Sequence, residues 1–166
     1  MIDKIHKLSR SEFVEVFANI FEKSKWIAEK LYDKKPFDSF ENLCSAMLEI
    51  FESANKETQL TILKVHPDLA DKAEVNLLSK NSRTEQSNAG LDQCSEEEFS
   101  EFKYLNKKYK RKFGFPLIIA IKGKNKIDIL SEFKKRILNS FDTEFNEAKI
   151  QVGKIASLRL NEINLK

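Results

Sequence analysis

The sequence repeats one local pattern: a serine or aspartate, a glutamate three residues later, and then apolar residues spaced three or four apart. The paired positions are Ser9 with Glu12, Asp38 with Glu41, and Ser95 with Glu98. Such a capping box satisfies backbone N–H groups in the first turn of a helix, and the spacing that follows places apolar side chains on one helix face. The pattern therefore predicts an all-α fold built from amphipathic helices.

The low content of turn residues supports the same fold class. Only 4 glycines and 3 prolines occur among 166 residues, whereas a β-sandwich or barrel needs many more. A chain of this length is expected to form one domain, 1–166, and to fold without a metal or disulfide. The apolar stripes predict a bundle of eight to nine helices, at about 10–22, 24–35, 38–54, 57–65, 68–75, 82–88, 95–112, 126–139 and 142–163.

One run departs from the helical pattern. It begins at Phe115 and Pro116, continues as a β-branched apolar stretch to Ile121, and is closed by Gly123. Periodicity alone predicts a buried strand. A single strand has no partner for its backbone hydrogen bonds, so the alternative is an extended segment threaded between helices.

Charge and targeting signals narrow the class of protein. The net charge of +3, from 29 basic and 26 acidic residues, is too balanced to indicate a polyanion partner. Cys44 and Cys94 form no CxxC pair, which fits a reducing compartment. The first residues do not resemble a secretory signal, the last three are not a peroxisomal address, and no apolar run approaches the ~20 residues of a membrane span. We therefore expect a cytoplasmic protein that does not bind a membrane.

His66 is the first candidate for chemistry. It follows Leu63 at helical spacing and precedes Pro67, which should end the helix and fix the backbone beside the histidine. One interpretation is a core or C-terminal histidine bonded to local backbone. The other is a general acid or base, since imidazole exchanges protons near neutral pH.

Glu85 also has two interpretations. Ser82 lies three residues before it, so the pair fits a capping box in which Glu85 only satisfies the Ser82 backbone. Alternatively, Glu85 is a carboxylate that works with a histidine in proton transfer.

Arg159 lies on the apolar stripe of the last predicted helix, seven residues after Val152. A buried guanidinium keeps its proton and needs an anionic partner. The partner is either an internal carboxylate, with Glu85 and Asp68 as candidates, or the carboxylate of a substrate gripped by two parallel hydrogen bonds. A third interpretation is an arginine that extends to solvent near the helix end.

A basic stretch, 103–112, interleaves lysines with Tyr104 and Tyr109. It is either a nucleic-acid-binding surface or the solvated half of an amphipathic helix whose acidic start and basic end match the helix dipole. No zinc-protease, dinucleotide-binding, P-loop or nucleophile-elbow motif is present, so we expect neither a metal nor a nucleotide cofactor.

Several spaced motifs together resemble a known family. They are Phe21-Glu22-x-Ser24-x-Trp26-Ile27-Ala28-Glu29, Pro36-Phe37, Gln59-Leu60, His66-Pro67-Asp68-Leu69-Ala70, Ser82-x-x-Glu85-Gln86-x-x-Ala89-Gly90-Leu91, Phe102-x-x-Leu105-Asn106-x-x-Tyr109-x-x-Lys112-Phe113-Gly114-Phe115-Pro116, and Ile155-Ala156-x-Leu158-Arg159-Leu160. Across nearly its whole length the chain is similar to the ureidoimidazoline decarboxylases of purine catabolism. These convert 2-oxo-4-hydroxy-4-carboxy-5-ureidoimidazoline (OHCU) to (S)-allantoin.

The resemblance implies an all-α, cofactor-free, homodimeric enzyme and replaces the predicted strand with an extended pocket-lining loop at about 113–123. It implies that His66 and Glu85 handle protons and that Arg159 anchors the substrate carboxylate or ring. The remaining implied substrate-binding residues are Pro67, Ser82, Gln86 and Ile119. The competing hypothesis is a non-enzymatic helical module that binds RNA or an acidic partner through residues 103–112.

Three residues depart from the family pattern. Lys25 stands where proline is usual, Asp71 where glycine is common, and Leu117 where phenylalanine is common. None of the three is an implied catalytic group, so we expect them to affect local packing only. The 166 residues contain no segment that resembles a hydrolase domain of the transthyretin type, so we expect the stand-alone form of the enzyme.

Overall fold

The computed structural model describes residues 1–72 and 75–163, and in these it contains α-helices, two 3-10 turns and no strand. The helices are α1 (Ile2–Lys7), α2 (Arg10–Phe17), α3 (Lys25–Tyr32), α4 (Phe40–Glu52), α5 (Lys56–Lys64), α6 (Lys80–Asn88), α7 (Glu96–Phe113), α8 (Lys126–Arg136) and α9 (Phe141–Asn161). The 3-10 turns are Val75–Leu77 and Leu91–Gln93. The predicted all-α fold is confirmed, and the apolar run between α7 and α8 is an extended loop, as the resemblance implies.

The chain divides into two compact units. The first contains Met1–Ile62 and the chain from Gly153 onward, and the second contains Leu63–Val152. The boundaries fall inside α5 and α9, so both helices contribute residues to each unit.

The first unit is built around α3, which packs against α2 and α4. Its core is rich in aromatic side chains. The rings of Phe13 and Phe17 lie 4.5 Å apart between centroids, and those of Phe21 and Phe51 lie 5.2 Å apart. These contacts bury the apolar faces that the 3–4 spacing predicts.

The N-terminal helix α1 was not predicted, because Met1 supplies no side-chain cap. Contacts from later in the chain hold it instead. The Nζ of Lys35 donates to the carbonyls of Ile5, His6 and Leu8 at 3.4, 3.0 and 3.2 Å, and the N–H of Phe37 donates to His6 Nε2 at 3.0 Å. Long-range bonds of this kind leave no local sequence signal.

The second unit is built around α7, which packs against α8. Tyr109 lies at the centre, with its ring 4.6 Å from that of Phe113, 6.1 Å from that of Phe115 and 5.8 Å from that of Phe133. These rings attach the start of the extended loop to the core of the unit.

The predicted capping boxes are confirmed at two of three places. Ser9 and Ser95 make reciprocal bonds with the glutamates three residues later. The prediction at Asp38 is wrong by one residue. Helix α4 is capped by Ser39, whose Oγ accepts a hydrogen bond from the N–H of Asn42 at 3.1 Å.

The helix predicted at 68–75 is also wrong. Residues 68–72 form turns and irregular structure, and Ala70 adopts a left-handed conformation with φ +53°. Left-handed backbone interrupts a right-handed helix. Positions 73 and 74 of this prediction lie outside the described residues.

Candidate functional site

His66 stands two residues beyond the last residue of α5. Its N–H donates to the carbonyl of Leu63 at 3.3 Å, and Pro67 follows. The predicted helix stop is therefore confirmed, since the residue before a proline is driven away from the helical region. His66 and Pro67 are half-buried.

The backbone that follows His66 and Pro67 is held by two buried amide side chains. Gln86 on α6 accepts a hydrogen bond from the N–H of Ala70 at 3.0 Å and donates one to the carbonyl of Asp68 at 3.0 Å. Asn106 on α7 donates to the carbonyl of Leu69 at 2.8 Å. A backbone without regular structure must find side-chain partners when it is buried, and these two amides supply them. The loop 68–70 is thus fixed at three consecutive residues.

An ion pair adds to this attachment. The Nζ of Lys110 lies 2.7 Å from Oδ2 of Asp68, whose side chain is only 10% exposed. Lys110 is one helical turn beyond Asn106, so both residues reach the loop from the same face of α7. Asp68, the first residue of the helix predicted at 68–75, instead connects the loop to α7.

Helix α6 begins earlier than predicted. Its cap is Ser79, whose Oγ accepts a hydrogen bond from the N–H of Ser82 at 3.2 Å and lies 3.1 Å from Ser82 Oγ. Ser82 is therefore the third residue inside the helix and is buried. The interpretation of Ser82 and Glu85 as a capping box is wrong, and Glu85 lies half-buried in the middle of α6.

The structure brings several predicted residues into one part of the second unit. Gln86 bonds the loop that follows His66 and Pro67, and Glu85 is the residue just before Gln86 on α6. His66 thus stands two residues before a loop that is hydrogen-bonded to the helix containing Glu85.

The loop between α7 and α8 contains Ile119, which is 6% exposed. The residues on either side of it are anchored. The carbonyl of Ile118 accepts a hydrogen bond from Nη1 of Arg136 at 2.6 Å, and the N–H of Ala120 donates to Oε1 of Gln151 at 2.9 Å.

Arg136 belongs to a buried polar cluster that also includes Glu144, Tyr109 and Asn139. Its Nε donates to Glu144 Oε1 at 2.8 Å, and Asn139 Nδ2 donates to Glu144 Oε2 at 2.9 Å. The hydroxyl of Tyr109 also donates to Glu144 Oε1. Burial and the hydrogen bond to Glu144 raise the pKa of Tyr109 above its ordinary value, so the phenol stays neutral and remains a donor.

Arg159 belongs to the first unit and is 4% exposed. Its Nη1 donates to the carbonyls of Asn19 and Ile20 at 3.1 and 3.3 Å and forms an ion pair with Glu22 at 3.4 Å. The sequence therefore correctly indicated a buried arginine, but Glu22 is an ion-pair partner that the sequence interpretation did not name.

The residues that sequence reasoning missed are those that hold backbone from a distance. Asn106, Arg136 and Gln151 each bond a main-chain group at least 18 positions away. Asn106 appears in the family motif and lies four residues after Phe102 on the buried face of α7. Arg136 lies three residues after Phe133 on the buried face of α8, which is the same kind of signal that indicated Arg159.

A cavity of about 370 Å³ lies beside the loop in the second unit. Ala70, Gln86, Arg83, Ser87 and Phe99 are among its lining residues. Of the predicted site residues only Gln86 lines this cavity. The cavity therefore does not coincide with the predicted catalytic site. The described residues contain no cluster of three or more potential metal ligands of the His, Cys, Asp or Glu type. Among them no helix has the length and apolar character required to cross a membrane.

Comparison with known proteins identifies the family. The family model for OHCU decarboxylase matches residues 6–161. A 2-oxo-4-hydroxy-4-carboxy-5-ureidoimidazoline decarboxylase of Haloferax volcanii is 37% identical over 161 residues, covering 97% of this chain and 94% of that protein. The corresponding mouse protein (Mus musculus) is 31% identical over 161 residues, covering 96% of this chain and 90% of its own length.

A longer relative matches as well. The uric acid degradation bifunctional protein of Bacillus sp. (strain TB-90) is 37% identical over 162 residues, which are 98% of this chain and 32% of that protein. The chain thus spans about a third of the bifunctional protein's length.

Solved structures agree with the fold. A crystal structure of (S)-allantoin synthase superimposes with a TM-score of 0.76 at 25% identity, covering 97% of this chain and 53% of the other. A crystal structure of OHCU decarboxylase in the presence of (S)-allantoin superimposes with a TM-score of 0.69 at 24% identity, covering 84% of this chain and 90% of the other. Fold and family model together define an all-α protein of a carboxy-lyase family. The chain belongs to the OHCU decarboxylase family.

Proposed function

We propose that this protein converts OHCU to (S)-allantoin by decarboxylation and that it needs no cofactor. The family match over residues 6–161 supports the reaction, and so do relatives named for it that are covered over nine tenths of their length. The observation that carries the site assignment is the attachment of the loop after His66 to α6 and α7 through Gln86 and Asn106.

The chemistry explains why no cofactor is required. Loss of CO2 breaks a carbon–carbon bond and leaves an electron pair on the ring carbon. The conjugated ring of the substrate absorbs that pair, which is the task that pyridoxal or thiamine performs in other decarboxylases. The protein has to orient the carboxylate, stabilise negative charge as it develops, and deliver one proton to one face of the ring.

We assign proton transfer to His66 and Glu85. The held loop fixes the backbone beside His66, and Glu85 is presented by the helix to which that loop is bonded. A carboxylate near an imidazole orients the ring and stabilises its charged form. Proton delivery from one fixed side gives a single enantiomer of the product.

The other assigned residues form the walls of the site. Pro67 restricts the backbone next to His66, and the buried Ser82 lies one turn before Glu85 on α6. Gln86 shapes the site through the loop that it holds. The backbone of Ile119 supplies hydrogen bonds to the ring or ureido groups of the substrate.

Arg159 is assigned to the carboxylate or ring of the substrate. Its guanidinium is buried and permanently charged, which suits binding of an anion by paired N–H groups. Replacing Arg159 with lysine keeps the charge and removes the paired geometry. We expect a rise in KM for OHCU, and an unchanged KM would exclude this role.

We also propose that the protein acts in the cytoplasm as a homodimer, and that residues 1–166 form one domain. Light scattering coupled to gel filtration tests the dimer, and a mass of one chain would contradict it. A single cooperative unfolding transition is expected for one domain, whereas two separated transitions would indicate two.

We propose that the protein binds no nucleic acid, although α7 has a basic end. Two of its lysines bind within the protein: Lys110 pairs with Asp68, and Lys112 Nζ donates to the carbonyls of Ile137 and Asn139 at 2.7 and 2.8 Å. These contacts show that Lys110 and Lys112 bind other parts of the same chain. Salt-sensitive binding of RNA would favour the non-enzymatic alternative.

The reaction is tested with OHCU made fresh from urate by urate oxidase and hydroxyisourate hydrolase. Circular dichroism in the absorption band of allantoin then follows the product. Wild-type protein should produce a rapid signal of (S)-allantoin, and folded Glu85→Ala should abolish it. A signal no faster than spontaneous racemic decay would refute the proposed function.

A further inference from the structure

The loop segment at Ile119 has an unusual hydrogen-bond pattern. Both neighbours are anchored, Ile118 through its carbonyl and Ala120 through its N–H. Ile119 itself is buried, and within residues 1–72 and 75–163 its N–H and C=O make no hydrogen bond. Buried backbone groups normally have partners, so this pattern is typical of a place reserved for a ligand.

The two anchors determine where the polar groups of Ile119 point. A trans peptide is planar, and its C=O and N–H point in opposite directions. The bond from Arg136 to the Ile118 carbonyl therefore also sets the direction of the Ile119 N–H. In the same way, the bond from Ala120 N–H to Gln151 sets the direction of the Ile119 carbonyl.

The Arg136 anchor is itself rigid. Its guanidinium is planar and uses separate nitrogens for the two tasks, Nε for Glu144 and Nη1 for the Ile118 carbonyl. Nη2 also lies 2.5 Å from Glu144 Oε1. Arg136 is 4% exposed and Glu144 is fully buried, so solvent does not compete for these bonds. Tyr109 and Asn139 hold Glu144 in turn.

We propose that Arg136 and Gln151 are positioning residues for substrate recognition, because together they aim the N–H and C=O of Ile119 at the substrate. This inference rests on the proposed function, in which the Ile119 backbone binds the ring or ureido groups of OHCU. The complementary ligand groups are an acceptor for the N–H and a donor for the C=O. A ureido or cyclic amide group offers both.

The test uses two substitutions with matched controls. Arg136→Lys keeps the charge, but one ammonium group cannot reproduce the two fixed directions of the guanidinium. Gln151→Met keeps the length of the side chain and removes the acceptor for Ala120 N–H. The control for Arg136 is Lys134→Met, which breaks an exposed ion pair of α8 with Glu101. The control for Gln151 is Glu147→Ala, which removes only the other hydrogen bond of Gln151, made by Nε2 at 2.7 Å.

The readout is KM for OHCU together with the Kd of (S)-allantoin measured by calorimetry. Each positioning substitution should raise both by about tenfold, the size expected for one misaligned hydrogen bond. Both controls should stay within about twofold of wild type, because neither contact bonds the backbone on either side of Ile119. A purely structural role would lower the active fraction, and hence the apparent kcat, but would leave KM unchanged.

The outcomes separate this inference from the proposed function. If wild-type protein does not accelerate OHCU loss, the proposed function fails before the variants are compared. If wild-type protein is active and KM and Kd are unchanged in Gln151→Met, which alters a half-buried site, the positioning role is refuted. The Gln151 result decides the matter even if Arg136→Lys does not fold.

Discussion

Replacing Asn106 with leucine should loosen the loop that follows His66 and Pro67. The two side chains have the same number of heavy atoms and leucine is the bulkier, so the change creates no cavity. It removes the donor to the carbonyl of Leu69, a bond of 2.8 Å in a place where Asn106 is 4% exposed and Leu69 is 7% exposed. A buried carbonyl left without a partner costs about 1–3 kcal/mol of folding free energy.

The predicted loss is measurable in two ways. For a chain of this size, about 2 kcal/mol corresponds to a fall in Tm of roughly 4–8 °C. In urea the midpoint should fall by about 1 M with an unchanged slope. The matched control is Asn161→Leu, which makes the same replacement at an exposed position near the end of α9 and should change stability by less than about 0.5 kcal/mol.

The same variant tests the link from loop to site. Folded Asn106→Leu should lose catalytic rate on OHCU, because the loop that the substitution releases fixes the backbone directly after His66 and Pro67. If Asn106→Leu and Asn161→Leu unfold at the same urea concentration and retain the same rate, Asn106 does not hold the loop in the way described.

Other contacts give predictions of different sizes. Glu144→Leu leaves the buried charge of Arg136 unpaired and should cost about 3–5 kcal/mol in urea unfolding, whereas a cost below about 1 kcal/mol would contradict the buried pair. Asp68→Asn should cost less than about 1 kcal/mol, because Lys110 is 46% exposed and solvent screens the pair; a loss as large as that of Glu144→Leu would contradict this. Burial, followed by the nearby Glu41, raises the pKa of Cys44 to about 11, so its thiol stays protonated at pH 8. Alkylation followed by mass spectrometry should be about a hundredfold slower at Cys44 than at a free cysteine, and equal rates would refute the assigned burial.

Local patterns predicted those parts of the fold that local physics controls. The capping boxes at Ser9 and Ser95 mark true helix starts, and the proline after His66 marks a true helix stop. These signals work because each depends on atoms within one helical turn. They were enough to indicate an all-α fold.

The same patterns failed where two similar signals compete. Ser79 and Ser82 are both suitable caps, and Glu85 three residues after Ser82 made the second more attractive. Helix α6 is capped by Ser79, whose Oγ accepts a hydrogen bond from the N–H of Ser82. Because the helix begins at the earlier serine, Glu85 is a side chain in the middle of α6 and not a capping residue.

The sequence could not indicate which distant backbone groups a buried polar side chain binds. Gln86 and Asn106 reach residues 16 to 37 positions away, and Arg136 reaches Ile118 across the turn into α8. Glu144 lies in the first turn of α9, where an acidic residue interacts favourably with the helix dipole. Only the folded structure shows that it is the buried partner of Arg136.

The proposed mechanism depends most on proton transfer by His66, and His66→Asn tests that role most directly. Asparagine retains hydrogen bonding but cannot exchange a proton near neutral pH. With OHCU made fresh, circular dichroism of a folded His66→Asn protein should show no (S)-allantoin signal above the racemic background, while wild-type protein gives a rapid one. A variant that decarboxylates OHCU at the wild-type rate and still produces only the (S) enantiomer would contradict the assignment.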